Sequence, residues 1–97
     1  MTEMLSRVHV FISGRVQGVA YRYFAERRAA ETSVTGWVRN LSDGRVEIMA
    51  EGEKADLECF LEILQQGPRM AKVDDLNLLW EDYVGEFEDF RIKYSAY

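Results

Sequence analysis

Two glycines and two arginines fall within residues 14–22, between an apolar strand pattern and a helical pattern. The backbone N–H groups at the start of a helix have no partner within the helix, and the helix dipole adds about half a positive charge there. Such a turn is suited to an anion, phosphate above all. We predict a phosphate-binding loop formed by Arg15, Val16, Gln17, Gly18, Val19, Ala20 and Tyr21.

The periodicity of the chain predicts the elements that hold this loop. Residues 7–13 alternate between the two faces of a strand, and residues 21–32 follow a helical spacing. Residues 34–40 and 45–51 have the composition of two further strands. The Asp43-Gly44 pair between them is typical of a hairpin turn.

The second half of the chain predicts one helix and two strands. Apolar residues at i, i+3, i+4 and i+7 indicate a helix over residues 54–66, which Gly67-Pro68 would end. Residues 76–83 and 90–94 look like two final strands. The order β-α-β-β-α-β with an extra C-terminal strand predicts an α+β, ferredoxin-like two-layer sandwich, with two helices on one face of a mostly antiparallel sheet. We expect residues 1–97 to form one domain, with Phe24, Trp37 and Phe60 in its core.

This topology predicts that two distant polar residues share a site. A strand, a returning helix and a parallel strand bring the end of the first strand to the same edge as the end of the second. Arg22 begins the first helix and Asn40 ends the second strand. The planar guanidinium of Arg22 can bind two phosphate oxygens, and the Asn40 amide can hold a water aimed at phosphorus.

The two segments contain no carboxylate or histidine that would act as a general base. We therefore expect a phosphate oxygen of the substrate to accept the proton of the water, with no covalent intermediate. The sequence has no Cys/His ligand cluster and no Gly-Lys-Ser/Thr loop, so we expect neither a metal nor another cofactor.

Composition restricts the class of protein. The chain has 97 residues, 47% of them apolar, and a net charge of −5, with acidic residues concentrated over residues 74–89. We expect no nucleic-acid partner, no membrane segment and a monomer. The single cysteine, Cys59, is interpreted as a helix residue rather than a nucleophile, and the lack of a partner for it favours the cytoplasm.

Four segments together resemble the acylphosphatase family over essentially the whole chain. They are Gly14-Arg15-Val16-Gln17-Gly18-Val19-Ala20-Tyr21-Arg22, Gly36-Trp37-Val38-Arg39-Asn40, Asp43-Gly44-Arg45-Val46-Glu47 and Phe90-Arg91-Ile92-Lys93-Tyr94. The resemblance implies hydrolysis of the carboxyl-phosphate anhydride of small acyl phosphates, with catalytic roles for Arg22 and Asn40. Inorganic phosphate would then be both product and competitive ligand.

The sequence departs from the family pattern at three places. Ser33 stands where a glycine commonly ends the first helix, so we expect it to adopt a left-handed conformation. Tyr21 replaces the more frequent phenylalanine, and its hydroxyl needs a partner. The chain also continues through Ser95, Ala96 and Tyr97, for which the sequence suggests no role.

Other interpretations of the same residues stay open at this point. Asn40 suits a hairpin cap, and Arg22 alone would be an ordinary solvated helix residue. Arg15 is not expected to be catalytic, since its backbone rather than its side chain serves the loop. The fold also occurs in RNA-binding domains, although the acidic charge opposes that use. A non-catalytic phosphate or acyl-phosphate binding module would keep the loop and Arg22 without needing Asn40.

Overall fold

The computed structural model describes residues 4–94, in which five strands and two helices follow one another along the chain. They are β1 (Leu5–Arg15), α1 (Tyr21–Thr32), β2 (Thr35–Asn40), β3 (Val46–Glu53), α2 (Lys54–Gln66), β4 (Lys72–Glu81) and β5 (Phe90–Lys93). The tail Ser95, Ala96 and Tyr97 lies outside the described residues. The predicted element order is confirmed, and α2 has the predicted bounds.

The strands form one sheet in the order β4-β1-β3-β2-β5. Three of its neighbouring pairs are antiparallel, and only β2 and β5 pair in parallel. Because β1 and β2 are both antiparallel to β3, they run in the same direction and end at the same edge of the sheet. Both helices pack on one face, so the ferredoxin-like α+β fold is confirmed.

Strict alternation in β1 produces the core between the sheet and the helices. Val8, Val10 and Ile12 face the helices and are fully buried. The helices contribute one apolar stripe each, and Phe60 of α2 is also fully buried. Burying such a side chain stabilises the fold by about 1.5–3 kcal/mol. The core therefore holds the ends of β1 and β2, where the predicted site lies.

The two residues that depart from the family pattern each have a local structural solution. Ser33 follows α1 with φ 62° and ψ 36°, so the predicted left-handed conformation is present. The Tyr21 side chain is buried, and its hydroxyl donates a hydrogen bond to the Leu64 carbonyl at 2.6 Å. Burial raises the pKa of Tyr21, so the hydroxyl stays protonated as a donor and links α1 to α2.

Two predictions about the sheet are wrong in detail. Strand β4 spans Lys72–Glu81 rather than residues 76–83. It starts earlier because it pairs with β1 as far as Arg15. It ends at Glu81, the partner of Arg7 in β1, and residues 84–86 donate their N–H groups to the Glu51 carboxylate instead of continuing the strand. Trp37 lies outside the core: its neighbours Gly36 and Val38 are buried, and the indole lies beneath the Lys93 ammonium on the open face, 4.4 Å from ring centroid to nitrogen.

Candidate active site

The predicted loop starts at an irregularity in β1. The register between β1 and β4 shifts between Ser13 and Gly14, and Gly14 has a φ of 125°. A side chain at Gly14 would overlap the backbone carbonyl of Lys72, so only glycine fits there. Gly18 differs, because it has a φ of 73° with nothing within 4 Å of its Cβ position. The first glycine lets the chain leave the sheet, and the second leaves space beside the loop.

The backbone donors of the loop have no acceptor in the described part of the chain. None of the N–H groups of residues 16–20 donates to an acceptor among residues 4–94. The first backbone bond of α1 runs from the Phe24 N–H to the Ala20 carbonyl, at 3.0 Å. Ala20 itself is left-handed, with φ 61° and ψ 26°, a conformation that costs a residue with a Cβ about 1–2 kcal/mol. This conformation turns the chain into the helix and leaves the N–H groups of residues 16–20 available to a ligand.

Arg22 lies in the first turn of α1 with a half-buried side chain. Its guanidinium carbon lies 5.2 Å from the ring centroid of Tyr94. Among residues 4–94 no carboxylate forms an ion pair with Arg22, whereas Arg28, further along the same helix, pairs with Glu31 at 2.8 Å. The Arg22 cation is therefore held by packing and keeps its hydrogen-bonding fork for a ligand.

Asn40 ends β2 on the same edge of the sheet. Its Oδ1 atom is buried and has no hydrogen-bond partner within residues 4–94. Buried polar groups are nearly always paired, and an unpaired one costs about 1–3 kcal/mol. Asn40 thus carries an acceptor that no donor in the described part of the chain uses.

A single cavity brings the predicted residues together. It has a volume of about 260 Å³. Its walls are Val16, Gly18, Ala20, Tyr21, Arg22, Tyr23 and Asn40. No Asp, Glu or His among the described residues lines it, so Arg22 supplies its formal charge although the whole chain is acidic. The cavity suits a small anion beside a polar acceptor.

Three predicted loop residues do not line this cavity. Arg15 is exposed, and its Nε donates to the Met70 carbonyl at 3.2 Å, outside the cavity. Val19 packs against the core, and the Gln17 side chain turns to the β2–β3 hairpin. Tyr23 lines the cavity but was not predicted. Its position directly after Arg22 in the first turn of the helix was the available signal.

A larger cleft of about 630 Å³ lies on the open face of the sheet, between β5 and the loop before it. Four of its charged groups are already paired, Arg7 with Glu86 at 2.6 Å and Arg91 with Asp89 at 2.9 Å, and the Lys93 ammonium lies over the Trp37 ring. It contains neither Arg22 nor Asn40. The smaller cavity is therefore the better candidate for chemistry.

The described part of the chain offers neither a metal site nor a membrane-spanning helix. No three His, Cys, Asp or Glu side chains of residues 4–94 lie close enough to hold a metal ion. Neither described helix is long and apolar enough to cross a membrane. Cys59 lies exposed on α2, away from the cavity.

Known proteins match this chain in sequence and in fold over most of its length. The acylphosphatase family model matches residues 8–92. An acylphosphatase of Syntrophus aciditrophicus is 45% identical over 92 residues, which cover 95% of this chain and 96% of the relative. The crystal structure of acylphosphatase from Bacillus subtilis superposes with a TM-score of 0.89 at 38% identity, covering 94% of this chain and all of that one. An acylphosphatase structure from Coxiella burnetii gives 0.86 at 40% identity, covering 93% and 94%.

Proposed function

The chain belongs to the acylphosphatase family, and we propose that Arg22, Asn40 and the backbone of residues 15–21 carry out its reaction, the hydrolysis of acyl phosphates. The observation that carries this assignment is the buried Oδ1 of Asn40 in the same cavity as the guanidinium of Arg22, neither of which has a hydrogen-bond or ion-pair partner within residues 4–94. One group accepts a hydrogen bond, and the other binds an anion.

The phosphoryl group binds in the cavity against the loop. The free N–H groups of residues 16–20 and those of the first turn of α1 donate to its oxygens, and the helix dipole favours its negative charge. The Arg22 guanidinium binds two oxygens through parallel N–H donors. These donors are fixed before the substrate arrives, so charge that develops on the oxygens is stabilised without reorganisation of the protein.

The attacking water is held by Asn40. Its Oδ1 accepts a hydrogen bond from the water, whose oxygen lone pair is thereby directed at phosphorus. An amide is too weakly basic to take the proton, and no carboxylate or histidine lines the cavity. The role of Asn40 is therefore to orient the nucleophile. Holding the water in the correct position relative to phosphorus raises the reaction rate strongly.

The reaction balances without an added base. The bond from the water oxygen to phosphorus forms while the bond from phosphorus to the acyl oxygen breaks, and its electron pair leaves with the carboxylate. A non-bridging phosphate oxygen takes the proton from the water. The products are a carboxylate and inorganic phosphate, with no phosphoryl group on the protein.

Single substitutions test the two side-chain roles. We expect Arg22→Ala and Asn40→Ala each to lower kcat/KM for a small acyl phosphate about a hundredfold or more, since each removes one oriented electrostatic group. Arg22→Ala should also weaken inhibition by inorganic phosphate, whereas Asn40→Ala should leave it nearly unchanged. Steady-state hydrolysis with phosphate inhibition measures both quantities.

Matched variants control for charge and for amide loss. Arg27→Ala removes an exposed arginine from the same helix, and Asn77→Ala removes an exposed asparagine from β4. Both should retain full activity. Full activity in Asn40→Ala, with phosphate binding intact, would mean that hydrolysis does not depend on Asn40. It would refute the proposed water position.

Isotope labelling tests the bond that breaks. Hydrolysis in ¹⁸O-labelled water should place the label in inorganic phosphate, because the water attacks phosphorus. Label in the carboxylate would mean attack at the acyl carbon, and the cavity would then hold the wrong group. A phosphate monoester should not be hydrolysed, since its alkoxide is a far poorer leaving group than a carboxylate.

The substrate, the location and the partners of the protein follow from the same proposal. Small acyl phosphates are the substrate class, and we propose that inorganic phosphate competes with them as the product. We propose further that the protein acts as a cytoplasmic monomer without nucleic-acid, membrane or metal partners. The net charge of −5 supports the first of these exclusions, because it opposes binding to a polyanion.

A further inference from the structure

We propose that the Gln17 side chain is a positioning residue, which sets the distance between the bound phosphoryl group and the water held by Asn40. This inference rests on the proposed function. It differs from the role predicted for Gln17 in the loop, because it concerns the side-chain amide rather than the backbone N–H.

The amide nitrogen of Gln17 makes two hydrogen bonds across the site. Nε2 donates to the Leu41 carbonyl and to the Arg45 carbonyl, at 2.8 Å each. The two acceptors are 24 and 28 residues away in the chain. An NH₂ group has two donors, so both are used. Within residues 4–94 these are the only side-chain hydrogen bonds between loop 16–20 and hairpin 40–46.

The two carbonyls belong to the bonds that close the hairpin. The Leu41 N–H donates to the Arg45 carbonyl at 2.8 Å, and the Gly44 N–H donates to the Leu41 carbonyl at 3.2 Å. Each carbonyl therefore accepts one bond from the hairpin and one from Gln17. The Gln17 amide completes the turn and joins it to the loop in the same contact.

The location of this contact gives it a consequence for chemistry. Leu41 directly follows Asn40, while Val16 and Gly18, the neighbours of Gln17, line the cavity. The amide thus ties the wall that binds phosphate to the strand end that holds the water. Reactions that depend on positioning lose about a hundredfold in rate when a reacting group moves by about 1 Å. A partly buried pair of hydrogen bonds is suited to prevent such a movement.

Gln17→Met tests the proposal because methionine keeps the length and volume of the side chain without a donor. We expect kcat to fall about ten- to a hundredfold, in line with the cost of misplacement. The inhibition constant of inorganic phosphate should change less than about threefold, because the backbone donors and Arg22 remain. Gln65→Met, on the exposed face of α2, is the matched control and should change neither quantity.

A double-mutant cycle separates positioning from general support of the fold. If Gln17 acts through Asn40, Gln17→Met should cost less than about threefold in an Asn40→Ala background, because the water is no longer held. Equal losses in both backgrounds would overturn the proposal. Loss of phosphate inhibition together with kcat would also overturn it, since Gln17 would then support the phosphate cradle itself.

A second variant and a stability measurement keep these outcomes interpretable. Gln17→Glu keeps the shape but places a carboxylate against two carbonyl oxygens, and we expect it to reduce kcat at least as much as Gln17→Met. Urea unfolding identifies the folded fraction of each variant. A lowered stability with unchanged kcat would overturn the positioning role. Full activity of Asn40→Ala would instead refute the water site, independently of the result for Gln17.

Discussion

Two runs of consecutive backbone N–H groups within residues 4–94 differ in what they bind. After β4, the N–H groups of Val84, Gly85 and Glu86 donate to the Glu51 carboxylate at 2.7 to 3.2 Å. In loop 16–20 the N–H groups donate to no acceptor among residues 4–94. One group of donors is filled by a carboxylate of the protein, and the other is left for a ligand.

The surroundings of the two groups differ in the same sense. Glu51 is 1% exposed, and the Arg7 guanidinium lies 3.5 Å from it as an internal countercharge. Arg22 has no such partner among the described residues and lies at the helix end where the dipole is already positive. Internal pairing gives stability. Donors and a cation without partners among the described residues lower the stability of the fold, and binding of an anion recovers that stability.

Glu51→Ala should have the largest effect on stability. It leaves three N–H groups and the Arg7 cation without their acceptor, so we expect a loss of about 2–4 kcal/mol in the free energy of unfolding. Neither kcat nor phosphate inhibition of the folded fraction should change. Arg22→Ala should do the reverse: it weakens phosphate inhibition and leaves stability unchanged or slightly higher, because a cation leaves a helix N-terminus.

Urea unfolding with and without phosphate measures both variants. Glu62→Ala, on the exposed side of α2, is the control for loss of a glutamate. A strong loss of stability in Arg22→Ala would mean that the loop is built for folding as much as for binding. The contrast between the two groups of donors would then be wrong.

Of the two groups of donors, the sequence predicted the one at the candidate active site. Periodicity placed Arg22 and Asn40 at strand and helix ends that share one edge, and they line one cavity. It missed what depends on distant partners: the bonds of Gln17 to the hairpin and the capture of residues 84–86 by Glu51. Alternation along a strand also does not say which face the helices cover, so Trp37 was wrongly placed in the core. Ala20 has a backbone conformation that its residue type disfavours.

Glu47 offers a smaller, pH-dependent test on the same open face as Glu51. Burial would raise its pKa, but hydrogen bonds from His9 at 2.5 Å and Arg39 at 2.6 Å outweigh burial, and the pKa is lowered. A carboxylate with a lowered pKa stabilises the fold above its unfolded pKa and loses that contribution as the pH falls through its folded pKa. Glu47→Gln should therefore cost about 1–2 kcal/mol at pH 7.

The pH profile of that difference is the measurement. The gap between wild type and Glu47→Gln should narrow as the pH falls below about 4.3, the ordinary value for glutamate. A gap of constant size from pH 7 to pH 3 would show that packing rather than charge is responsible. Hydrolytic activity at neutral pH should be unaffected, because Glu47 does not line the cavity.

The smallest effects concern two residues in the same left-handed conformation, one on each end of α1. Ser33, at φ 62°, ends the helix, and Ala20, at φ 61°, begins it inside the site. Glycine removes the Cβ strain, and this gain is larger than the cost of its greater freedom in the unfolded chain. Ser33→Gly and Ala20→Gly should therefore each raise the free energy of unfolding by about 0.5–1 kcal/mol, seen as a higher Tm. Only Ala20→Gly should also lower kcat, because a glycine there loosens the loop that holds the phosphate. An equal kcat in the two variants would show that strain at Ala20 serves the turn alone, and an unchanged or lowered Tm for Ser33→Gly would show that the serine is not strained.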